Sequence, residues 1–155
     1  MSRAVPPWRA CPGYPAHLVA RGNNRQTVFL GDQDRGHYLE WLRDAAREYE
    51  VAVHAYVLME NQVDLLVTLR TFEVLSRAMQ SVARRHTQYF NRVHDRSGTL
   101  WEWRLKLGLI EPGPWLLACS RLIELKPVRA GLVQNPADYA WSSYPTMPAC
   151  TPNPG

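Results

Sequence analysis

Two runs of alternating apolar residues, 51–59 and 62–69, flank Glu60-Asn61 and constrain the chain more than any other feature. A period of two places successive side chains on opposite faces of a strand, so the pair reads as a β-hairpin. Val51, Val53, Val57 and Met59 form one face of the first strand, and Val63, Leu65, Val67 and Leu69 the apolar set of the second. His54 and Tyr56, then Gln62, Asp64 and Thr68, fall on the other face. A sheet with one greasy face needs a helix layer there and can offer its polar face to a ligand.

Helical periodicity supplies that layer. Tyr38, Leu42, Ala45 and Tyr49 recur at helical spacing over 33–49, with Asp32 or Asp34 as the cap. Leu75, Met79, Val82, His86, Tyr89 and Val93 form a core stripe over 72–94, which Ser97-Gly98 ends. A short strand is expected at 17–21, stopped by Gly22-Asn23-Asn24. Another is expected over 99–110, where Trp101, Trp103, Leu105, Leu107 and Leu109 alternate with Glu102, Arg104 and Lys106. Pro114 opens a last helix, which Pro127 and Gly131 close. The order predicts an α+β fold, a ferredoxin-like (RRM-like) split β-α-β-β-α-β antiparallel sheet plus a C-terminal helix. A fold so widely reused is silent on function.

Proline usage delimits the domain. Of 12 prolines, four fall in the first 15 residues, four in the last 11, and none between 16 and 111. An irregular N-terminal tail is expected over 1–13, one domain over 14–144, and a Pro-rich disordered tail over 145–155. A chain of 155 residues suffices for one domain with its own core. No apolar run reaches the roughly 18 residues of a membrane span, and no secretory leader is visible. Cys11, Cys119 and Cys150 make neither a metal pair nor a disulfide framework. The expected setting is therefore cytoplasmic and membrane-free. Charge is uneven: between Arg77 and Lys106 seven basic residues face two acids, a local +5 on a chain of net charge +4. Such a patch suits a polyanion.

Six segments then agree in order and spacing. They are Arg21-Gly22-Asn23-Asn24-Arg25-Gln26; Val51–Met59 leading into Glu60-Asn61-Gln62-Val63-Asp64-Leu65-Leu66; Arg84-Arg85 through Tyr89-Phe90-Asn91-Arg92; Ser97-Gly98-Thr99-Leu100-Trp101-Glu102 with Arg104 and Lys106; Arg121 through Glu124-Leu125-Lys126-Pro127-Val128-Arg129-Ala130-Gly131; and Trp141-Ser142-Ser143-Tyr144. Together, over 14–144, they resemble the REP-associated tyrosine transposases, a branch of the single-tyrosine HUH transposases. The resemblance implies a nickase that binds single-stranded DNA hairpins and attacks a backbone phosphate with a tyrosine. It also implies a divalent metal, Mg²⁺ or Mn²⁺, held by two histidines flanking one apolar residue and by a third ligand four residues after the tyrosine. The metal would polarise the phosphate, and the tyrosine would need activation to attack at neutral pH.

This chain departs from that pattern at every chemical position. The histidine positions are Gln62 and Asp64, the nucleophile position is Leu122, and the third-ligand position is Lys126. Leucine has no hydroxyl and cannot form a phosphotyrosine. An ammonium at Lys126 repels a cation or pairs with Asp64, so a Lys126–Asp64 ion pair is expected where the family holds its metal, with no cofactor. The expected function is a catalytically inert, transposase-derived protein that binds hairpin DNA. DNA contacts are expected from Arg21, Asn23, Asn24, Arg25, Arg84, Arg85, Arg92, Arg96, Arg104 and Lys106. Two alternatives stand beside it. One is an active nickase with relocated residues, for which Tyr56, Tyr89 and His54 are the candidates. The other is a relic with a sound fold. Trp101 and Trp103 are weighed between core packing and base stacking. His17, His37, His86 and His94 show no ligand spacing.

Overall fold

The computed structural model describes residues 13–111 and 114–144. The N-terminal tail up to residue 12 and the tail over 145–155 lie outside the described residues. Four strands, β1 (Tyr14–Arg21), β2 (Ala52–Leu58), β3 (Gln62–Leu69) and β4 (Lys106–Leu109), form one antiparallel sheet in the order β2-β3-β1-β4. The helices are α1 (Asp32–Glu48), α2 (Phe72–Val93), α3 (Pro114–Glu124) and the short α4 (Lys126–Arg129). The first six long elements follow the split β-α-β-β-α-β order.

Alternation along β1 and β3 divides the sheet into two faces. Ala16, Leu18 and Ala20 of β1, with Val63, Leu65 and Val67 of β3, join Leu42 of α1 and Leu75 and Val82 of α2 in the larger core. The opposite face is not left open. Leu116, Cys119 and Ile123 of α3 pack on Ala55, Val57 and Leu66 in a second core. β3 is therefore covered on both sides, and every residue from Val63 to Leu69 is buried.

The face assignment of β2 needs correcting. The register slips between Val53 and Ala55, so His54 is an extra residue in a β-bulge. A one-residue slip turns every later side chain to the other face. Val57 lies against α3 rather than beside Val53, and Tyr56 packs against the larger core rather than on the polar face. His54 keeps the expected face, 2.7 Å from Thr68 Oγ1.

Four boundaries also differ. β1 starts at Tyr14, three residues before the expected His17, because Tyr14, Pro15 and Ala16 pair with Leu69, Thr68 and Val67 of β3. Residues 99–105 are not a continuous strand: Trp101 makes one isolated bridge to Gly22, and β4 begins only at Lys106. The helix of 72–94 is closed by Asp95, at φ +53, with Arg96 N–H bonded to Asn91 C=O. That left-handed closure precedes Gly98. The final helix is two: α3 stops at Glu124, and Pro127 sits in the first turn of α4 instead of closing a helix. Caps are mixed. Thr71 Oγ1 accepts from Val74 N–H at α2, whereas Gly31 caps α1 and Asp34 reaches back to Leu30 N–H.

The chain returns along β2 at its end. Val57 bridges Ser142, Leu58 N–H donates to Trp141 C=O, and Ser143 N–H donates to Tyr56 C=O. Trp141 Nε1 donates to Asp32, tying this segment to the start of α1.

Candidate nucleic-acid interface

Asp64 is the centre of the site. In the ladders it stands in one row with Val57, Val19 and Lys106, so the four side chains share the α3 face. The row of Arg21 and Gln62 lies next to it on the same face. Asp64 is fully buried. Its Oδ1 accepts from Gln62 Nε2 at 2.6 Å, its Oδ2 accepts from His17 Nε2 at 2.8 Å, and Lys126 Nζ lies 3.7 Å from Oδ2. A buried carboxylate is costly unless paired and hydrogen-bonded, and these three partners meet both needs. The expected Lys126–Asp64 pair is formed.

His17 is the member that spacing missed. It comes from β1, not from the 62–64 pair, and crosses to Asp64 from the neighbouring strand. The alternation of β1 carried the signal. Ala16, Leu18 and Ala20 are buried in the larger core, which puts His17, Val19 and Arg21 on the opposite face.

Helix α3 closes the site from above. Cys119 is buried, and that burial, with the charge of Asp64 nearby, raises its thiol pKa. Leu122, one turn further on, is half exposed, while its neighbour Ile123 is wholly buried. Glu124 is buried too, which raises its carboxyl pKa, and Ser143 Oγ donates to it at 2.6 Å. The closing Trp-Ser-Ser-Tyr segment thus fixes the end of α3. Among the described residues no cluster of three or more His, Cys, Asp or Glu is placed to hold a metal ion.

The Arg-Gly-Asn-Asn-Arg-Gln segment is a tight turn beside this face. A Cβ on Gly22 would lie 2.1 Å from Gln26 C=O, so only glycine fits there. Asn24 and Arg25 both have positive φ, and both are exposed. The turn is sewn to the 99–102 segment by Asn23 N–H to Leu100 C=O and by Glu102 N–H to Arg21 C=O.

The ten expected DNA contacts do not form one surface. Arg21, Asn23, Asn24, Arg25 and Lys106 lie on or beside the Asp64 face, and Arg104 lies two residues before the start of β4 on an exposed bend. Arg84, Arg85 and Arg92 belong to α2, on the far side of the sheet. There Arg85 reaches Asp44 of α1 at 4.0 Å, and Arg92 lies over the Tyr89 ring. Arg96 is built into the fold. Its guanidinium donates to Gln26, Asn91 and Thr99 C=O and sits 5.8 Å from the Phe90 ring centre. Arg96 clamps the two loops together.

The remaining aromatic candidates also separate. Trp101 is in the core with Phe29, Tyr38 and His86 around it, whereas Trp103 is 93% exposed. Tyr89 is buried against Trp41 and His37.

A four-stranded antiparallel sheet, with the elements of the split pattern and a further helix over the Asp64 face, defines a ferredoxin-like α+β domain. The chain belongs to the IS200-like transposase family, whose model matches residues 12–109. Among solved structures, that of a REP-associated tyrosine transposase bound to a REP hairpin is similar at TM-score 0.72 and 15% identity, covering 96% of this chain and 86% of that one. A Deinococcus radiodurans protein assigned as a transposase is similar at TM-score 0.54 and 21% identity, covering 77% and 85%. No curated protein matches the chain. No helix among the described residues is long and apolar enough to cross a membrane.

Proposed function

We propose that this protein binds structured single-stranded DNA of the hairpin kind without cutting it. The observation that carries this reading is the Lys126 ammonium, 3.7 Å from Asp64 Oδ2 at the family's metal position. The residues there do not fit a divalent ion. Both Asp64 oxygens are taken by protein donors, one other family position is an amide, and the third is a cation. A hard cation such as Mg²⁺ needs several oxygen ligands and no competing positive charge. Adding millimolar Mg²⁺ or Mn²⁺ should therefore leave the melting temperature unchanged. A rise with either ion in differential scanning fluorimetry would remove the basis for this reading.

DNA binding does not need that metal. Phosphate contact rests on Lys, Arg and backbone N–H groups. Arg21 and Lys106 share the Asp64 face, and the exposed Asn24 and Arg25 stand on a rigid turn next to it. Asparagine and arginine can also read base edges. The similar solved structure that holds a REP hairpin supports DNA as the ligand class.

The test is a salt titration of binding to a labelled single-stranded hairpin, with duplex of the same sequence as competitor. With about five phosphates neutralised, log K should fall against log salt with a slope near −3.5, using the single-strand coefficient. Hairpin preference with such a slope supports the reading. Salt-insensitive binding with no preference, across hairpins from the protein's own genome, would instead mark a stable fold without this function.

A further inference from the structure

We propose that Trp103 is a stacking platform for one unpaired nucleobase in single-stranded DNA flanking the hairpin stem. This rests on the DNA-binding reading and adds a subsite to it, on the opposite side of the sheet from Asp64. At 93% exposure, Trp103 is the most exposed of the large apolar side chains among the described residues. Leaving an indole ring in water without a partner forgoes one of the largest burial gains a side chain can make. Yet the backbone that presents it is fixed. On one side, Glu102 N–H is bonded to Arg21 C=O, and Trp101 is anchored in the core and bridged to Gly22. On the other, Leu105 packs against the core and Lys106 pairs with Val19 in the sheet. Trp103 and Arg104 therefore form a two-residue outward bend between two anchors, and the ring is held out by construction.

Beside the ring lies a cleft of about 90 Å³ bounded by Met79 and Ala83 of α2 and by Trp101 and Leu105. Its polar rim is Gln80 and Glu102. This is the composition a nucleobase needs: a flat π-face to lie on, an apolar floor, and an amide and a carboxylate for the base edge. The charge around it suits the sugar–phosphate chain that follows a stacked base. Arg104 adjoins Trp103 in sequence, and Arg84 adjoins Ala83 on the exposed side of α2. Arg84 has no place on the Asp64 face and gains one here. A nucleotide inside the stem cannot use the platform, because both its faces are already stacked on neighbouring pairs. The occupant is thus an unpaired nucleotide, not the stem.

The experiment compares a blunt hairpin with the same hairpin carrying a single-stranded tail on either end. Each is titrated against wild type, Trp103→Ala and Trp103→Phe. Trp103→Ala should weaken the tailed hairpin by about 5- to 160-fold, the range for losing one base–aromatic stack, and leave the blunt hairpin within twofold. Trp103→Phe should recover most of the loss, and the melting temperatures of all three proteins should agree because the ring buries almost nothing. A 2-aminopurine in the tail should be quenched by wild type and not by Trp103→Ala. Tail binding that is indifferent to Trp103→Ala, with hairpin binding intact, overturns the platform and leaves the DNA-binding reading standing. Failure of wild type to bind either hairpin overturns both.

Discussion

Incubated with hairpin DNA and Mg²⁺ or Mn²⁺, the protein should form no covalent adduct. The quadruple variant Gln62→His, Asp64→His, Leu122→Tyr, Lys126→Asn should form one. The expected contrast is large, because a nucleophile and its partners act as a unit and losing one costs on the order of 10⁶ in rate. The scaffold supports the restoration at each position. Residues 62 and 64 share the α3 face of β3, as metal ligands on one strand must. Residue 122 lies one turn along α3 from Cys119, which is close enough to Asp64 for its thiol to respond to that charge. Any of the four single changes should do nothing. Denaturing electrophoresis of labelled hairpin detects the adduct. A folded quadruple variant that binds hairpin and never forms an adduct would mean that more than these four positions separate the chain from activity.

Stability should fall by about 3 kcal/mol between pH 7.5 and pH 4, and His86 should carry most of it. The ring is wholly buried among Phe29, Tyr38, Trp41 and Trp101, and Nε2 donates to Val28 C=O at 2.7 Å. Nδ1 is buried and has no hydrogen-bond partner among the described residues. A proton added there would find no acceptor, in a site that water does not reach. Burial accordingly pushes the His86 pKa down from 6.5 to about 4, against the pull of the Val28 carbonyl and of Asp34. His37 and His94 add to the depression when charged. The unfolded chain takes up the proton below pH 6.5 while the folded one does not, so this stability is complete above pH 6.5 and drains away as pH falls to 4. His54, also depressed by burial, acts in the same direction. Asp34, held below its usual 3.8 by Leu30 N–H and His94 despite its burial, contributes a loss only at lower pH. Urea unfolding at a series of pH values reads the effect, and His86→Gln should flatten it. A curve for His86→Gln parallel to wild type over this window would assign the loss elsewhere.

The hairpin, both long helices and their order were legible because each carries a strong period. The bulge in β2 was not. Val51, Val53, Val57 and Met59 alternate without interruption, and nothing in that run marks His54 as an extra residue. The short β4 was hidden in the same way, since Trp101 and Trp103 keep the alternation while one is core and the other solvent. The covering of the polar face is not legible, because the apolar residues of α3 show that the helix packs but not on which side of the sheet. At the site, Gln62, Asp64 and Lys126 were found through the resemblance and their pairing through charge. His17 is not legible there, because spacing within one strand cannot reveal a partner two strands of sequence away. Arg96 read as a DNA contact because composition cannot tell a free guanidinium from one already bonded to Gln26, Asn91 and Thr99.

The return of residues 141–143 along β2 has a bearing on association between molecules. β2 is an outer strand rich in Val, Ala, Tyr and Leu, and such an edge is a template on which foreign strands can grow. Bonds at Tyr56, Val57 and Leu58 to the closing segment occupy part of that template. The opposite edge has other protection: β4 is only four residues long and opens with a lysine. The closing segment thus covers part of the edge at which the sheet could otherwise add a fifth strand.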